Sequence, residues 1–282
     1  MPPRKKTYKK KSTTAKRSFR LSKYHIVGYA TIILLAVIFH YRDGISYLAK
    51  DWYYSIFHNE KVKSTLHDVR TIEILDKHNQ HLFGFDVSHY QNEINWRGID
   101  SLYQKFPLDF VFIRSTMGGN GVDKNFKQNW KYAKVRLLVR GAYHYYRPDE
   151  NSTLQAQNFI RNTPLTVGDF VPVLDIEDYP KHQSIEDLQK GVKNWLNIVE
   201  KHYGVKPIIY SGENFYNQNL KAHFPEYKIW IAKYSAFSDK IKDDWHFWQF
   251  TDKGSVEGII GDVDLNIFNG NRHDLKGFLI DR

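Results

Sequence analysis

Apolar positions recur along this chain in three rhythms. Between Lys23 and Arg42 lie 18 residues without a formal charge, almost wholly apolar from Ile26 to Phe39. As a helix, at about 1.5 Å per residue, they span about 27 Å, enough for a thin bilayer core. From 42 to 81 the pattern loosens. Ile45, Leu48, Trp52, Ile56 and Phe57 keep roughly helical spacing, and a mixed polar stretch with weak strand character around 71–75 follows, which together read as a stalk or linker. From residue 82 short apolar, β-branched or aromatic runs alternate with longer amphipathic segments. The runs at 82–88, 110–115, 137–145, 171–176, 207–210, 229–232, 247–250 and 263–267 predict eight strands. Segments 96–106, 124–135, 153–161 and 185–203 predict helices between the early ones. Ile185, Leu188, Val192, Trp195 and Val199 share one helical face, Gly204 stops that helix, and Pro207 opens the next strand. Strands alternating with helices point to a parallel α/β fold, with the second half a barrel whose helices are reduced or missing.

Length and charge refine this picture. A chain of 282 residues suits one large domain plus appendages, and 41% apolar residues can bury a sizeable core. With no Cys, a disulfide scaffold, a Cys-ligated zinc site and a thiol nucleophile are excluded. The net charge of +10 is local. Residues 1–24 hold ten of the 41 basic residues and no acid, and the remaining 31 match the 31 acids. Such a tail invites a nucleic-acid reading, but an apolar run follows it directly. Tyr24, His25, His40 and Tyr41 flank that run as interfacial residues do, and the basic flank predicts a cytoplasmic N-terminus. A cleaved signal peptide or a buried core helix are the competing readings. The long basic flank and the absence of small residues in His40-Tyr41-Arg42-Asp43 favour a single-pass anchor. The expected organisation is a basic cytoplasmic tail (1–23), a transmembrane helix (24–41), a stalk (42–81) and an exported domain (82–282). The tail is also a candidate contact for anionic lipid headgroups.

In a barrel of this kind, chemistry gathers at the C-terminal ends of the strands. Four carboxylates fall there: Asp86 near the end of the first strand, Asp175 and Glu177 at the end of the fourth, and Asp264 in the last. Asp175 and Glu177 are two apart, so on a strand they face one side with Cα atoms about 6.6 Å apart. Two acids in one cavity cannot both ionise freely, so one pKa rises. One carboxyl then suits a protonated general acid and the other an anionic stabiliser, as in glycoside hydrolysis. A magnesium site is the other reading of clustered carboxylates, but no phosphate-cradling Gly loop accompanies them. No metal or cofactor is expected. Tyr143, Tyr145, Tyr210, Trp230 and Trp248 lie near the same ends and are candidate platforms for sugar rings, with core packing as the alternative for each. His144 reads as a hydrogen-bonded structural histidine, and His78 with His81 as part of the solvated linker rather than a metal pair.

These stretches together resemble glycoside hydrolase family 25, the Chalaropsis-type lysozymes. The resemblance rests on Gly84-Phe-Asp-Val-Ser-His-Tyr-Gln with Ile94-Asn-Trp, Phe110-Val-Phe-Ile-Arg-Ser-Thr, Gly141-Ala-Tyr-His-Tyr-Tyr and Pro172-Val-Leu-Asp-Ile-Glu. It continues through Ile209-Tyr-Ser-Gly, Trp230-Ile-Ala-Lys-Tyr, Trp248-Gln-Phe and Val263-Asp-Leu-Asn-Ile-Phe. It implies a modified TIM-like barrel, (β/α)5β3, and hydrolysis of the β-1,4 bond between N-acetylmuramic acid and N-acetylglucosamine in peptidoglycan, with retention. On this likeness Glu177 is the general acid, and Asp175 orients the 2-acetamido group as it attacks the anomeric carbon. A direct carboxylate nucleophile is the alternative route. Asp86 and Asp264 complete the acidic site. Asn95 and Met117 depart from the pattern, each standing where an acidic residue is usual. The expected partners are peptidoglycan strands and, through residues 24–41, the inner membrane of a bacterium. The catalytic domain is expected outside that membrane, as a monomer that binds no nucleic acid. A silent peptidoglycan-binding module and a hydrolase of another N-acetylhexosamine polymer, such as chitin, are the rival functions.

Overall fold

The computed structural model describes residues 22–58, 65–234 and 239–281. The chain divides into two compact units, Met1–Arg42 and Asp43–Arg282. In the first, helix α1 (Lys23–His40) starts at Ser22, whose hydroxyl accepts the Tyr24 backbone N–H at 3.4 Å. Its apolar side chains cover the whole circumference and none is buried. Such a helix has no face to pack on a soluble core, and its 18 residues match the length of a membrane span. The basic tail expected over 1–23 lies almost entirely outside the described residues.

In the second unit eight strands close into a barrel: β1 (Leu82–Val87), β2 (Phe110–Met117), β3 (Val139–Tyr145), β4 (Val173–Asp175), β5 (Ile208–Gly212), β6 (Lys228–Ala232), β7 (Phe247–Gly254) and β8 (Val263–Phe268). Neighbours from β1 to β7 pair in parallel, and β8 closes the ring antiparallel to both β7 and β1. Helices α4 (Phe126–Val135), α5 (Ser152–Asn162) and α6 (Ile185–Tyr203) fill the crossovers after β2, β3 and β4. The Ser184 hydroxyl caps α6 by accepting the Asp187 N–H at 3.1 Å. Gly204, at φ 72°, ends it in the left-handed conformation that a side chain would disfavour. After β5 the helix shrinks to a short turn, Glu213–Phe215, that runs into Tyr216–Leu220.

Two expectations need correction. No helix spans 96–106. A single 3₁₀ turn, Trp96–Gly98, and a two-residue hairpin, Ser101–Leu102 with Phe106–Pro107, take its place. Trp96, Ile99, Leu102 and Phe106 are buried as a helix would bury them, but Tyr103 and Gln104 adopt positive φ and reverse the chain. The stretch expected to be a linker also contains structure. Besides α2 (Arg42–His58), residues Leu66–Lys77 form helix α3, not a strand at 71–75. Asp68 accepts the Thr65 backbone N–H at 2.5 Å in a capping box, and Ile72, Ile74 and Leu75 are buried in the outer layer of the barrel. Beyond α3, the His78 ring donates from Nε2 to the Asp239 carbonyl at 2.9 Å and stands edge-on to Trp248. Among the described residues no group of three or more His, Asp or Glu could hold a metal ion.

The strands sort their side chains by alternation. Outward residues such as Phe85, Val111, Ile113, Leu174, Ile209, Ile231 and Trp248 form the core between barrel and helices. Inward residues such as Phe110, Phe112, Tyr143, Val173, Tyr210, Trp230 and Phe247 fill the interior. Gly84 and Gly141 face inward where a Cβ would sit 2.3 Å from the rings of Phe110 and Phe112, so these glycines make room for the aromatic plug. Phe112 stacks on Trp230 with centroids 4.5 Å apart, and Tyr210 meets the same indole edge-to-face at 4.5 Å. This layer is the floor beneath the C-terminal ends of the strands.

Candidate active site

Above that floor a cavity of about 470 Å³ opens at the C-terminal end of the barrel. Its walls include Asp86, Asp175, Glu177 and Asp264, together with Tyr143, Tyr145, Tyr210 and Trp230. Thus eight of the nine candidate residues share one space. The exception is Trp248, which is 0% exposed and points outward into the helix-facing core. Its Nε1–H donates to the Lys233 carbonyl at 3.1 Å. On β7 the inward positions are Phe247 and Gln249, so the phase of the strand excludes Trp248 from the cavity.

Asp86 sits at the end of β1, directly opposite Asp264 in the antiparallel ladder with β8. Its Oδ2 accepts from Gln249 Nε2 at 2.7 Å and Asn266 Nδ2 at 2.8 Å. Those amides are themselves fixed. Tyr210 donates to Gln249 Oε1 at 2.8 Å, Tyr234 donates to the same oxygen, and Trp230 Nε1–H donates to Asn266 Oδ1 at 2.8 Å. Each amide is thereby held with its NH2 toward the carboxylate. Gln249 and Asn266 were not singled out from the sequence. Their signal was available, since both occupy inward alternate positions two residues from Phe247 and Asp264.

Burial, and then the Asp264 charge, pushes Asp86 well above the usual carboxylate range, against the two amide hydrogen bonds. The side-chain hydrogen bond between this pair favours the proton on Asp86. Asp264 itself rises to about 6, through burial and then the Asp252 charge.

Asp175 ends β4 between Tyr145 and Tyr210 in register. The chain leaves the strand there, with the Ile176 N–H still donating to the Tyr210 carbonyl at 3.0 Å, and Glu177 reaches the cavity from the following segment. Asp175 is buried, and its Oδ1 has no hydrogen-bond partner within the protein. Burial raises its pKa most, followed by the charges of Glu177 and Asp86, while Arg114 opposes the rise. Arg114 is an inward cation on β2, held at 3.2 Å by buried Asp123 and lying over the Tyr90 ring. A bulge between Arg114 and Thr116 lets Ser115 and Thr116 both bond outward, to Thr163 and His144, while Arg114 and Met117 keep to the cavity. Glu177 stands at the mouth with surface open to solvent, and its pKa is pushed up to about 7 by desolvation and then by Asp178 and Asp264.

The residues that depart from the expected pattern lie apart. Asn95 donates its backbone N–H to the Gly258 carbonyl at 2.8 Å and does not line the cavity. Met117 does line it, with Arg147 Nη2 at 3.6 Å from its sulfur. His144 faces outward, stacked on Trp195 at 5.5 Å and bonded to Thr116 and Gln155. Burial lowers its pKa to about 4, which keeps it neutral.

A barrel with four carboxyls converging over an aromatic floor holds the groups that glycoside hydrolysis uses. Residues 85–259 match glycosyl hydrolases family 25, so the chain belongs to that family. Among its relatives, Escherichia coli (strain K12) YegX is 42% identical over 200 residues, covering 70% of this chain and 73% of that one. Lysozyme M1 of Streptomyces globisporus is 32% identical over 206 residues, covering 67% and 68%. The solved structure of a family 25 glycosyl hydrolase from Bacillus anthracis superposes with a TM-score of 0.62 at 33% identity, covering 71% of this chain and 94% of that one.

Proposed function

We propose that the chain is a lysozyme that cleaves the β-1,4 bond from N-acetylmuramic acid to N-acetylglucosamine in peptidoglycan, with retention at the anomeric carbon. Membership of family 25 and the likeness to Lysozyme M1 support peptidoglycan hydrolysis. The residue roles rest on one arrangement: Glu177, its pKa pushed up to about 7, stands at the mouth of a cavity whose buried Asp175 has an oxygen with no partner in the protein.

In this reading Glu177 protonates the leaving glycosidic oxygen as the C–O bond breaks. The 2-acetamido oxygen attacks the anomeric carbon from the opposite face. Its N–H donates to Asp175 Oδ1, which satisfies the orphaned acceptor. That donation favours the Asp175 anion, offsetting the burial that raises its pKa. The anion in turn stabilises the positive charge that develops on the acetamido group. Glu177, now a carboxylate, takes a proton from water as water opens the cyclic intermediate, restoring the acid. Asp264, the partner that the shared hydrogen bond leaves as the anion, supplies negative potential beneath the oxocarbenium-like centre, and Asp86, held by Gln249 and Asn266, positions it. Tyr143, Tyr145, Tyr210 and Trp230 give the sugar faces flat apolar contact.

We further infer that α1 spans the inner membrane of a bacterium, with the basic tail in the cytoplasm and the barrel on the wall side. Purified peptidoglycan tests the chemistry. Digestion is expected to release fragments ending in reducing N-acetylmuramic acid, and Glu177→Gln to abolish their release. Binding without release of new ends would identify a silent wall-binding module, and equal digestion of chitin would identify a less selective hydrolase.

A further inference from the structure

The flank of the barrel along helix α4, from near the cavity rim down to the opposite end, carries a surface that hydrolysis does not use. Helix α4 follows the C-terminal end of β2 and descends to the base, where Arg136–Leu138 lead into β3. Lys127, Lys131 and Lys134 are spaced four and three apart along one face of it, and Lys124 just precedes it. All four are exposed, and α4 has no acidic residue. Asp123 and Asp100, the carboxylates at either end, pair instead with Arg114 and Arg136.

The lysines border a cleft of about 540 Å³, with Trp130 and Arg140 also in its walls. Arg140 is already neutralised by Asp169 at 2.7 Å and rests on the Trp130 ring, so the free positive charge belongs to the lysines. Beside the cleft, Val135 is 67% and Leu137 91% exposed. Leu137 holds a φ of 61°, a conformation unfavourable for a side-chain-bearing residue, and it projects into solvent there.

The second unit begins near the lower edge of this flank. Three residues beyond the end of α1, Asp43 is held at 3.1 Å by Lys105, in the segment that leads into the first residue of β2.

We propose that this flank, from α4 to its lower edge at Leu137, is a lipid-docking surface. Leu137 and Val135 enter the boundary between headgroups and acyl chains of an anionic leaflet, and Lys127, Lys131 and Lys134 meet its phosphates. The proposal rests on reading α1 as a membrane span. Two features favour lipid over the carboxylates of wall peptides: the paired apolar residues, which a soluble polyanion would leave wet, and the start of the second unit at Asp43 beside Lys105, three residues after α1. Confinement by the tether makes a weak patch sufficient.

The absence of Cys allows single-site labelling of the full chain. Leu137→Cys at the lower edge of the flank and Ile260→Cys, in the exposed β7–β8 connection at the cavity end, each carry an environment-sensitive fluorophore. The chain is reconstituted in phosphatidylcholine vesicles with or without phosphatidylglycerol. Flotation in both compositions reports insertion of α1 by itself. The expected result is quenching of the 137 label by a lipid-borne quencher only when phosphatidylglycerol is present, its loss in K127E/K131E/K134E, and a 260 label that stays in water. Muropeptide release by the triple variant is expected to be unchanged. A 137 label that stays in water while the chain floats on anionic vesicles overturns the proposal. So does a 137 response to added peptidoglycan in place of lipid. A chain that fails to float defeats the α1 reading and this one with it, whereas loss of muropeptide release by the wild type would strike only the hydrolase reading.

Discussion

The two halves of the barrel interior are built on one alternating register and differ in what they bury. Below, Phe110, Phe112, Phe170, Phe247 and Phe268 pack ring against ring. Above, the same inward rows continue as Asp86, Asp175 and Asp264, with Arg114 among them. The lower half is the cause of the upper half's chemistry. An aromatic floor offers carboxylates no solvation, so burial leads the reasons their pKa values rise, and repulsion comes second, from within the cluster for Asp86 and Asp175 and from Asp252 for Asp264. Polar groups are spent sparingly: Asp86 receives two fixed amides, while Asp175 keeps an oxygen with no partner in the protein. A buried orphan acceptor destabilises the fold, and its retention fits a group whose partner arrives with substrate.

The sharpest break of this contrast is Glu177→Gln, which keeps shape and removes the proton. Turnover on peptidoglycan should fall about 10³-fold or more with little change in KM, measured by release of reducing ends. The same variant probes stability. The folded pKa of about 7 lies above the ordinary 4.5 of Glu177. Its contribution to stability is therefore present below the lower value and lost as pH rises through the upper one. Unfolding at pH 8 should show the variant more stable, on the order of 1 kcal/mol after discounting for its solvent contact, and the gain should vanish near pH 4.

Asp175→Asn comes next, with a loss of about 10²-fold in kcat read by the same assay, because a neutral amide cannot stabilise the charged intermediate. The pH dependence of kcat/KM follows. Activity should decline above about pH 7 as the acid on Glu177 is lost, and the acid limb should belong to the cluster as a whole rather than to one carboxyl. Asn266→Ala or Gln249→Ala should cost about tenfold in kcat, by freeing Asp86 to turn. The smallest effect is expected of Trp248→Phe. Because Trp248 packs outside the barrel, KM should stay within about twofold, and melting should register a loss of about 1–3 kcal/mol from the underfilled core.

The barrel was legible because alternation and helix periodicity are local properties. Helix α6 fell where Ile185, Leu188, Val192, Trp195 and Val199 put it, and β1 and β8 began at the expected residues. The convergence of the four acids was legible because Asp86, Asp175 and Asp264 end or line strands that local pattern defines, and Glu177 follows Asp175 by two residues, beyond the strand rather than on it. The errors have a common origin. Trp248 has the height of the cavity in the barrel but the opposite phase, and a shift of one residue separates it from Gln249. Over 96–106 a spacing of three to four was read as a helix, but Tyr103 and Gln104 take positive φ without a glycine to announce it. Helix α3 looked like linker because its apolar face is narrow. Only the outer surface of the barrel, a nonlocal partner, gives Ile72 and Leu75 a place to be buried.

The most direct test of the central claim is mass spectrometry of the soluble fragments released from purified peptidoglycan by the wild type and by Glu177→Gln. The account predicts wild-type fragments ending in reducing N-acetylmuramic acid and almost none from the variant. Fragments ending in reducing N-acetylglucosamine, or release by the variant at the wild-type rate, would contradict it.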